Sequence, residues 1–306
     1  MLTIETINIC NNACIICPYT VHTRARKTMT MAIFRKLVDE YASIGGGPIS
    51  LTPMMGEVFL DKLLPQRLLL LRARPEITTI SATTNATMAR RYDDAKLAEI
   101  LSAFDRILVS VYGLDRDEFQ TMSQCDDYEL MIEQLVRLVA LSKPNTVHVG
   151  MRLLKKRPAE DIDSWESDIA RRAGVQRLQV HNRTFEFQNW NYFDVTQPLP
   201  HDATWAPLAT NSHQCLVPFI AFQALVDGTI SFCHCADYDG NPGLTLGNVK
   251  DTSFIEILSG DKIKRLWRWD RYGVPELCRS CNFHRPVELV KHIPWVYDDP
   301  NRFLGG

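Results

Sequence analysis

Strand-like and helix-like segments alternate along residues 3–182 of this chain. Runs rich in β-branched or apolar residues predict six strands, at 3–10, 48–53, 77–85, 106–112, 146–154 and 175–182. Helical spacing of apolar residues predicts helices over 30–43 and near 60–73, 93–103, 127–142 and 159–172. Strands separated by helices run parallel, in an open doubly wound sheet or a curved, incomplete barrel. In either arrangement functional side chains gather at the carboxyl ends of the strands.

Cys10 is the last residue of the first predicted strand and Cys14 and Cys17 follow it, at that functional edge. The chain has 306 residues, nine cysteines and a net charge of -2. It carries neither a signal-type segment nor an apolar run long enough to cross a membrane, so we expect a cytoplasmic protein without a membrane or nucleic-acid partner. Thiols stay reduced in the cytosol, and grouped cysteines there indicate metal or cluster ligation rather than disulfides.

A second cysteine group, at positions 215, 233, 278 and 281, flanks a predicted β-hairpin at 222–235 and a predicted helix at 251–269. A zinc ion is the alternative to an iron-sulfur cluster at both cysteine groups. Because zinc usually takes four protein ligands in structural sites, three thiols spaced C-x3-C-x2-C fit a four-iron cluster with one open iron better. The hairpin and the terminal C-x2-C of the second group fit zinc almost as well.

The C-x3-C-x2-C loop and the alternating pattern after it resemble the radical S-adenosylmethionine (SAM) superfamily. The resemblance implies an α/β fold, a partial (β/α)6 TIM-like barrel, in which Cys10, Cys14 and Cys17 hold a [4Fe-4S] cluster. The open iron of that cluster would bind S-adenosyl-L-methionine. Family-like segments at later strand ends imply further cofactor-binding residues, with Tyr19 as one more candidate: Gly56 and Glu57 in "MMGEVFLD", Thr84 and Asn85 in "ATTNATM", and Ser110 in "SVYGLD".

The C-terminal spacing C-x12-G-x4-C, followed by a helix and C-x2-C, resembles the twitch domain, a shortened SPASM auxiliary-cluster domain. The resemblance implies that Cys215, Cys233, Cys278 and Cys281 hold one auxiliary [4Fe-4S] cluster in a small unit of β-hairpin plus helix. We therefore expect a barrel at 1–183, a linker or active-site loop at 184–212, and the twitch domain with a C-terminal tail at 213–306.

The resemblance to family members acting on aminocyclitols and aminoglycosides implies a 5′-deoxyadenosyl radical that abstracts hydrogen from a small polar substrate. We expect a sugar, aminocyclitol or amino-sugar-like substrate, and dehydrogenation of a secondary alcohol in natural-product biosynthesis. The alternatives are a radical epimerase, a small peptide-modifying enzyme, and a non-catalytic iron-sulfur or zinc module. The short stretch before Cys10 favours a small substrate over a peptide. A flavodoxin or ferredoxin is the expected reductant.

Three residues are candidates for the steps that follow hydrogen abstraction. Cys235 lies two residues after Cys233 on the predicted strand, so both side chains would face the same side; it is an alternative ligand, a buried bystander or a hydrogen-atom donor. Cys125, after the fourth strand, is the other donor candidate, with inert burial as its alternative. Arg152, near the end of the fifth strand, could meet an anionic or hydroxyl-bearing substrate.

Overall fold

Six parallel strands and the helices between them form the first part of the protein, a computed structural model that describes residues 1–52 and 54–287. The strands are β1 (Leu2–Ile4), β2 (Ile49–Leu51), β3 (Ile80–Thr84), β4 (Arg106–Val111), β5 (Val147–Arg152) and β6 (Gln179–Thr184). The helices between them are α1 (Met31–Ser43), α2 (Leu64–Arg72), α3 (Asp94–Ser102), α4 (Arg116–Ser123), α5 (Tyr128–Leu141) and α6 (Ala159–Ala173).

The order of these strands in the sheet decides between the two predicted arrangements. From β1 to β6 each strand pairs in parallel with the next one along the chain. A doubly wound sheet requires a point at which the strand order reverses, and β1 to β6 contain none. Successive right-handed crossovers therefore return on the same side, which curves the sheet and confirms the predicted partial barrel.

The C-terminal part adds short elements and extends the same sheet. After β7 (Glu186–Phe187) and β8 (Thr204–Trp205), which pair with each other, come α7 (Val217–Ile220), β9 (Phe222–Ala224), β10 (Thr229–Ser231) and β11 (Thr245–Asn248). Strand β9 lies parallel to β1, and β10 and β11 continue antiparallel, so the sheet has nine strands in the order β11-β10-β9-β1-β2-β3-β4-β5-β6. The hairpin is thus joined to the barrel by backbone hydrogen bonds.

The first strand is much shorter than predicted, because the backbone after Thr6 leaves the sheet and hydrogen-bonds the segment before α1: Met29 N donates to Thr6 O at 2.8 Å and Asn8 N donates to Lys27 O at 3.2 Å. Beyond β1 only an isolated bridge between Ile7 and Thr28 remains. The side chain of Asn8 donates to Ala25 O at 2.9 Å and accepts from Lys27 N at 2.6 Å. Cys10 consequently lies in a loop beyond the strand rather than at its last residue.

The helix predicted at 251–269 is three short helices, and one barrel helix was not predicted. The segment contains α8 (Phe254–Ser259), α9 (Asp261–Leu266) and α10 (Trp269–Tyr272), followed by α11 (Glu276–Arg279). It breaks where Gly260 takes an extended conformation, with a ψ of 165°. The unpredicted helix is α4, which Asp115 caps by accepting from Glu118 N, a capping signal present in the sequence.

Apolar side chains fill the space between the barrel strands and their helices. Alternate strand residues such as Ile49, Leu51, Val109 and Val149 are completely buried in one continuous cluster. None of the described helices has both the length and the apolar character needed to cross a membrane. Residues 288–306, the tail of the predicted third domain, lie outside the described residues.

A buried ion pair connects the start of the barrel to the C-terminal unit. The guanidinium of Arg24 donates to both carboxylate oxygens of Glu5 at 2.6 Å, and Val226 N also donates to Glu5 at 3.1 Å. Arg24 Nε donates to Tyr238 O at 2.9 Å. The Glu5 side chain is completely buried, so its charge depends on these donors.

We expect Arg24→Ala to destabilise the fold by about 3–5 kcal/mol, because it removes the only cation paired with the Glu5 carboxylate among the described residues. The measurement is the thermal midpoint of the anaerobically reconstituted protein. Arg26→Ala is the matched control, since Arg26 is exposed and lies over the Tyr19 ring. An equal loss of stability in the two variants would contradict the role given to the buried pair.

Candidate active site

One cavity opens at the carboxyl ends of the barrel strands and reaches the C-terminal unit. Ten of the predicted site residues line it: Cys10, Cys14, Cys17, Gly56, Glu57, Thr84, Asn85, Ser110, Arg152 and Cys235. Polar side chains from the barrel interior line its floor: Ser50, Ser81, Thr83, Arg106, His181 and Asn182. The fold therefore brings most of the sequence-predicted residues to a single polar site.

The loop that carries the first three cysteines is held against the end of α4. Ala13 N donates to Ser123 O at 3.1 Å and Ile15 N donates to Met122 O at 3.0 Å. Within the loop, Cys17 N donates to Cys14 O at 3.0 Å. All three cysteines are free thiols, and their position depends on the protein backbone rather than on cross-links.

Burial raises the pKa of each of these thiols, and their proximity to one another adds to the effect for Cys10 and Cys14. For Cys17 burial raises the pKa to about 11, opposed by a hydrogen bond from Tyr19 N and by the nearby charge of Arg152. Cys10 Sγ accepts from Asn12 N at 3.5 Å and from Asn85 Nδ2 at 3.8 Å. Thiolates in this environment need a cationic partner, which iron supplies.

Glu57 is the buried carboxylate at the edge of this cavity. Its Oε1 accepts from Thr84 Oγ1 at 2.6 Å and from Phe59 N at 3.1 Å, and its Oε2 accepts from Asn85 N at 2.8 Å. Burial raises the pKa of Glu57, and these three donors oppose the rise. Since a carboxylate offers about four acceptor positions, one remains for a ligand donor.

Gly56 precedes Glu57 at a place where only glycine fits. Its φ is +95°, and an added Cβ would lie 2.1 Å from Ile7 O and 3.1 Å from Thr52 Cγ2. The neighbouring amide, Glu57 N, donates to Ile9 O at 2.9 Å. The close approach therefore joins the loop after β2 to the segment leading to Cys10.

Ser110 and Arg152 lie together on the other side of the cavity, at the ends of β4 and β5. Arg152 Nη1 donates to Ser110 Oγ at 2.9 Å, which leaves the serine hydroxyl proton free to point at a ligand. The guanidinium of Arg152 also lies 6.0 Å from the centre of the Tyr112 ring. Burial raises the pKa of Cys14, and a side-chain hydrogen bond from Tyr112 opposes that rise.

Two of the residues predicted to bind a cofactor or to act in catalysis do not line the cavity, and neither do the four cysteines of the second group. Tyr19 is buried with its ring under Arg26, at 4.8 Å, and meets the cysteine loop through its backbone amide, which donates to Cys17. Cys125 Sγ contacts Ser123 Oγ at 3.3 Å and donates to Asn12 Oδ1 at 3.6 Å, behind the cysteine loop. Tyr19 and Cys125 can therefore act on the site only through their contacts with the first cysteine loop, not by touching a ligand in the cavity.

The second cysteine group gathers side chains from three separate segments. Cys233 and Cys281 belong to one apolar cluster, against which Cys278 packs, and Cys215 belongs to a second cluster that Cys278 and Cys235 also contact. Asn211 Nδ2 donates to Cys278 O and to Cys281 O, each at 2.8 Å, and fixes the C-x2-C turn.

Cys235 lies between this group and the cavity. Its thiol is close to Cys233, Cys215 and Cys281, whose charges add to the rise in its pKa that burial causes, and it also lines the cavity. The predicted shared strand is wrong, because β10 ends at Ser231. Cys233 instead heads a turn in which Cys235 N and Ala236 N both donate to its sulfur at 3.4 Å.

His234 also lines the cavity and was not predicted. Burial, with a smaller effect from the positive N-terminus, lowers the pKa of His234 to about 4, so its imidazole is neutral at neutral pH. Its Nε2 lies 3.8 Å from Cys235 Sγ. Its position between two cysteines was the only signal in the sequence.

A corner formed by residues 189–191 connects the two cysteine groups and was not predicted at residue level. Trp190 Nε1 donates to Ile16 O at 2.8 Å, inside the first cysteine loop, and its ring lies 4.7 Å from the ring of Phe283. Asn191 Nδ2 donates to Leu277 O at 2.6 Å, and its side chain hydrogen-bonds Cys281. Trp190 and Phe283 both line the cavity.

The donor sets fit iron-sulfur clusters better than single ions. Across the described part of the chain, no group of three or more His, Cys, Asp or Glu side chains is arranged to hold one metal ion. A four-iron cluster carries its thiolates on different iron atoms and so holds them farther apart than one ion does. Three thiols lining one cavity, with backbone and side-chain donors to their sulfurs, match the surroundings of a thiolate-bound cluster.

We expect Gly56→Ala to impair the binding of SAM and to lower stability by roughly 2 kcal/mol or more, because the added Cβ meets backbone that no rotamer change can move. Equilibrium dialysis and thermal unfolding measure the two effects. Gly45→Ala is the matched control, since Gly45 has a φ of +107° but no atom within 4 Å of an added Cβ. A loss of the same size in both variants would mean that the φ angle alone matters.

We expect Trp190→Phe to loosen the first cysteine loop, because it removes the donor to Ile16 O and keeps an aromatic ring against Phe283. Loss of this hydrogen bond, which contributes about 1 kcal/mol, should speed iron release to a chelator about fivefold. Iron release from the first cysteine group is the kinetic phase that disappears in a variant with alanine at positions 10, 14 and 17. Trp205→Phe, which removes a comparable bond to Gln197 O, should leave that phase unchanged; equal acceleration in both would refute this role.

Comparisons with known proteins agree with this site. The model of the radical SAM superfamily matches residues 4–165. The model of SPASM, an iron-sulfur cluster-binding domain, matches residues 215–282. GTP 3′,8-cyclase of Chlorobaculum tepidum is 26% identical over 194 residues, which are 63% of this chain and 54% of that protein. The chain thus spans about half the length of this curated relative.

Three solved structures have a similar fold. BtrN in complex with AdoMet and 2-DOIA has a TM-score of 0.59 at 18% identity, covering 92% of each chain. SuiB of Streptococcus suis bound to S-adenosylmethionine has a TM-score of 0.61 at 14% identity, covering 95% of this chain and 73% of that one. The peptide complex of anSMEcpe with AdoMet has a TM-score of 0.61 at 15% identity, covering 92% and 86%.

At such low identities the solved structures establish only the fold, whereas the first family match covers more than half of the chain. The matched region ends within α6 and contains the C-x3-C-x2-C loop together with Glu57, Asn85 and Ser110. The second match spans all four cysteines of the other group. The chain belongs to the radical SAM superfamily, as an enzyme with a SPASM domain whose cofactors are S-adenosyl-L-methionine, a [4Fe-4S] cluster and an auxiliary cluster.

Proposed function

We propose that this enzyme abstracts a hydrogen atom from a small, hydroxyl-bearing substrate, such as a sugar, aminocyclitol or amino sugar, and dehydrogenates a secondary alcohol in natural-product biosynthesis. The observation that carries the proposal is that the first cysteine group lines one cavity with a polar floor, which Cys235, a neighbour of the second group, also lines. Hydroxyl, amide, imidazole and guanidinium groups line it between the first cysteine loop and Cys235. Such groups can form hydrogen bonds with the hydroxyls of a polyhydroxylated molecule, whereas an apolar pocket would leave those hydroxyls without partners.

The proposed ligand assignments follow the cysteine spacing and the contacts around it. Cys10, Cys14 and Cys17 hold the radical cluster, and Cys215, Cys233, Cys278 and Cys281 hold one auxiliary cluster. When bound there, the first cluster and S-adenosyl-L-methionine would supply a 5′-deoxyadenosyl radical, which would take a hydrogen atom from a substrate carbon and become 5′-deoxyadenosine. The proposal also includes domain limits of 1–183, 184–212 and 213–306. A flavodoxin or ferredoxin is the proposed reductant.

The protein's own residues bind and orient the reactants. Gly56 and Glu57, with Thr84 and Asn85, present the free acceptor position of the buried carboxylate to the amino group of S-adenosyl-L-methionine. Ser110, which accepts from Arg152, donates its proton to an oxygen of the same cofactor. Tyr19 supports this site through its amide on Cys17.

Arg152 and His234 are proposed to act on the substrate hydroxyl. The remaining donors of Arg152 hold the substrate oxygen, because only Nη1 is used by Ser110. The neutral imidazole of His234 lines the same cavity and can accept the hydroxyl proton when the carbon loses its second electron. The auxiliary cluster would take that electron, leaving a carbonyl.

Epimerisation is the second candidate, favoured by the place of Cys235. Its sulfur lines the cavity beside His234, whereas the sulfur of Cys125 lies behind the first loop. A thiol in this position could return a hydrogen atom to the opposite face of a substrate radical. The same substrate radical could then react in two ways. Hydrogen return from the Cys235 thiol would give epimerisation, and loss of the hydroxyl proton with a second electron would give dehydrogenation.

The test is anaerobic turnover of the reconstituted enzyme in D2O with a panel of aminocyclitols and amino sugars, followed by mass spectrometry. Dehydrogenation removes a pair of hydrogen atoms, whereas epimerisation leaves the mass unchanged except for one deuterium that the exchanged thiol delivers. We expect Cys235→Ser to keep dehydrogenation and to abolish epimerisation, and Cys125→Ser, the matched control, to affect neither.

Iron analysis checks the cluster assignments independently of the substrate. About eight irons should fall to about four when Cys10, Cys14 and Cys17 are all replaced by alanine, as expected for two cysteine-bound four-iron clusters. Iron content that is unaffected by this change, or failure to form 5′-deoxyadenosine from S-adenosyl-L-methionine and dithionite, would overturn the proposal.

A further inference from the structure

The outer surface of α9 and α10 carries a concentration of positive charge beside the auxiliary cysteines. Residues 261–272, "DKIKRLWRWDRY", contain five basic and two acidic residues, in a chain with a net charge of -2. Lys264, Arg265, Arg268 and Arg271 line one shallow hollow together with Asp261 and Tyr272. We call these four basic residues and Tyr272 the basic face.

Ion pairs neutralise only part of this face. Arg268 pairs with Asp270 at 2.9 Å, and Lys264 lies 3.7 Å from Asp261. Arg265 and Arg271 make no ion pair with an acidic side chain in residues 1–52 and 54–287. By contrast, the basic run at 155–157 is largely neutralised, with Lys155 bound to Asp117 at 2.7 Å and Arg157 to Glu118 at 2.8 Å.

The inner sides of the same helices pack on the auxiliary cysteines. Ile263 of α9 is completely buried in the cluster that contains Cys233 and Cys281. Trp269 of α10, 5% exposed, belongs to the cluster that contains Cys215. One layer of side chains therefore separates the basic face from the second cysteine group.

An aromatic pair lies at the edge of the basic face. The rings of Phe219 and Trp267 stack at 5.7 Å with an interplanar angle of 13°, and Phe219 is 46% exposed. Tyr272, 55% exposed, adds a further ring beside Arg271. Positive charge next to exposed aromatic rings suits a small, transient interface whose association is steered by charge.

We propose that the basic face is the docking site of an acidic one-electron carrier protein, of the flavin or iron-sulfur type, that exchanges electrons with the auxiliary centre. Each encounter moves one electron between carrier and cluster, so that one is oxidised as the other is reduced. This inference rests on the proposed assignment of Cys215, Cys233, Cys278 and Cys281. Its location is favoured because electron exchange needs a short separation, and the basic face is one side-chain layer from those cysteines.

The test measures binding of an oxidised flavodoxin and of an oxidised ferredoxin to the reconstituted enzyme by calorimetry at several salt concentrations. We expect the double variant Arg265→Glu/Arg271→Glu to weaken binding of at least one carrier about tenfold or more and to flatten its salt dependence. The matched control is Arg35→Glu/Arg90→Glu, which changes net charge equally at exposed positions elsewhere. It should keep the affinity of the wild type.

Reduction by dithionite separates this inference from the proposed function. Both double variants should retain the full iron content and be reduced by dithionite at the wild-type rate, since no cluster ligand is changed. Unaltered carrier binding in Arg265→Glu/Arg271→Glu would overturn the inference while leaving the cluster assignments intact. Tighter, charge-dependent binding of duplex DNA than of either carrier at the basic face would overturn it as well.

Discussion

The buried carboxylate of Glu57 holds together the loops around the active site. It receives donors from the end of β3 and from its own short turn, while its amide donates to Ile9, just before Cys10. Asn85, fixed by Glu57, in turn donates to the sulfur of Cys10. Burial of this carboxylate is offset by these three donors, so the geometry of the cysteine loop and that of the carboxylate depend on each other.

The second feature that organises the site is the way in which distant segments converge on one cavity. Strand β1 pairs with β2 on one edge and with β9 on the other, which places the C-terminal cysteines beside the barrel rather than in a separate body. The corner at Trp190 then contacts both cysteine loops. The cavity beside this corner is lined by the first cysteine group and by Cys235, which packs against the second group.

Much of this arrangement could be predicted from the sequence where local patterns carry the information. The cysteine spacing, the positions of Thr84 and Ser110 at the ends of their strands, and the parallel direction of the strands all follow from short-range signals. Helix α4 could also have been found, because Asp115 and Glu118 form a capping pattern. The division of the helix predicted at 251–269 also has a local signal, because Gly260 takes the extended conformation that separates α8 from α9.

Other parts could not be predicted because they depend on contacts between distant residues. Nothing around Trp190 indicates that its indole reaches Ile16, and nothing around Cys235 shows that its sulfur meets the cavity while that of Cys125 does not. The same holds for the pairing of β9 with β1, since a strand's sequence does not name its neighbour. Propensity and periodicity describe an element, but tertiary packing chooses what it touches.

The pairing of β1 with β9 also has a consequence for how the chain folds. Leu2 pairs with Phe222, one of the longest sequence separations in the sheet, and such contacts form late because a large loop must close first. Until then the outer edge of β1 is an open template for another strand. The barrel and its cysteine loop can assemble from nearer contacts, so the second cysteine group is completed last, against a surface that the first has already built.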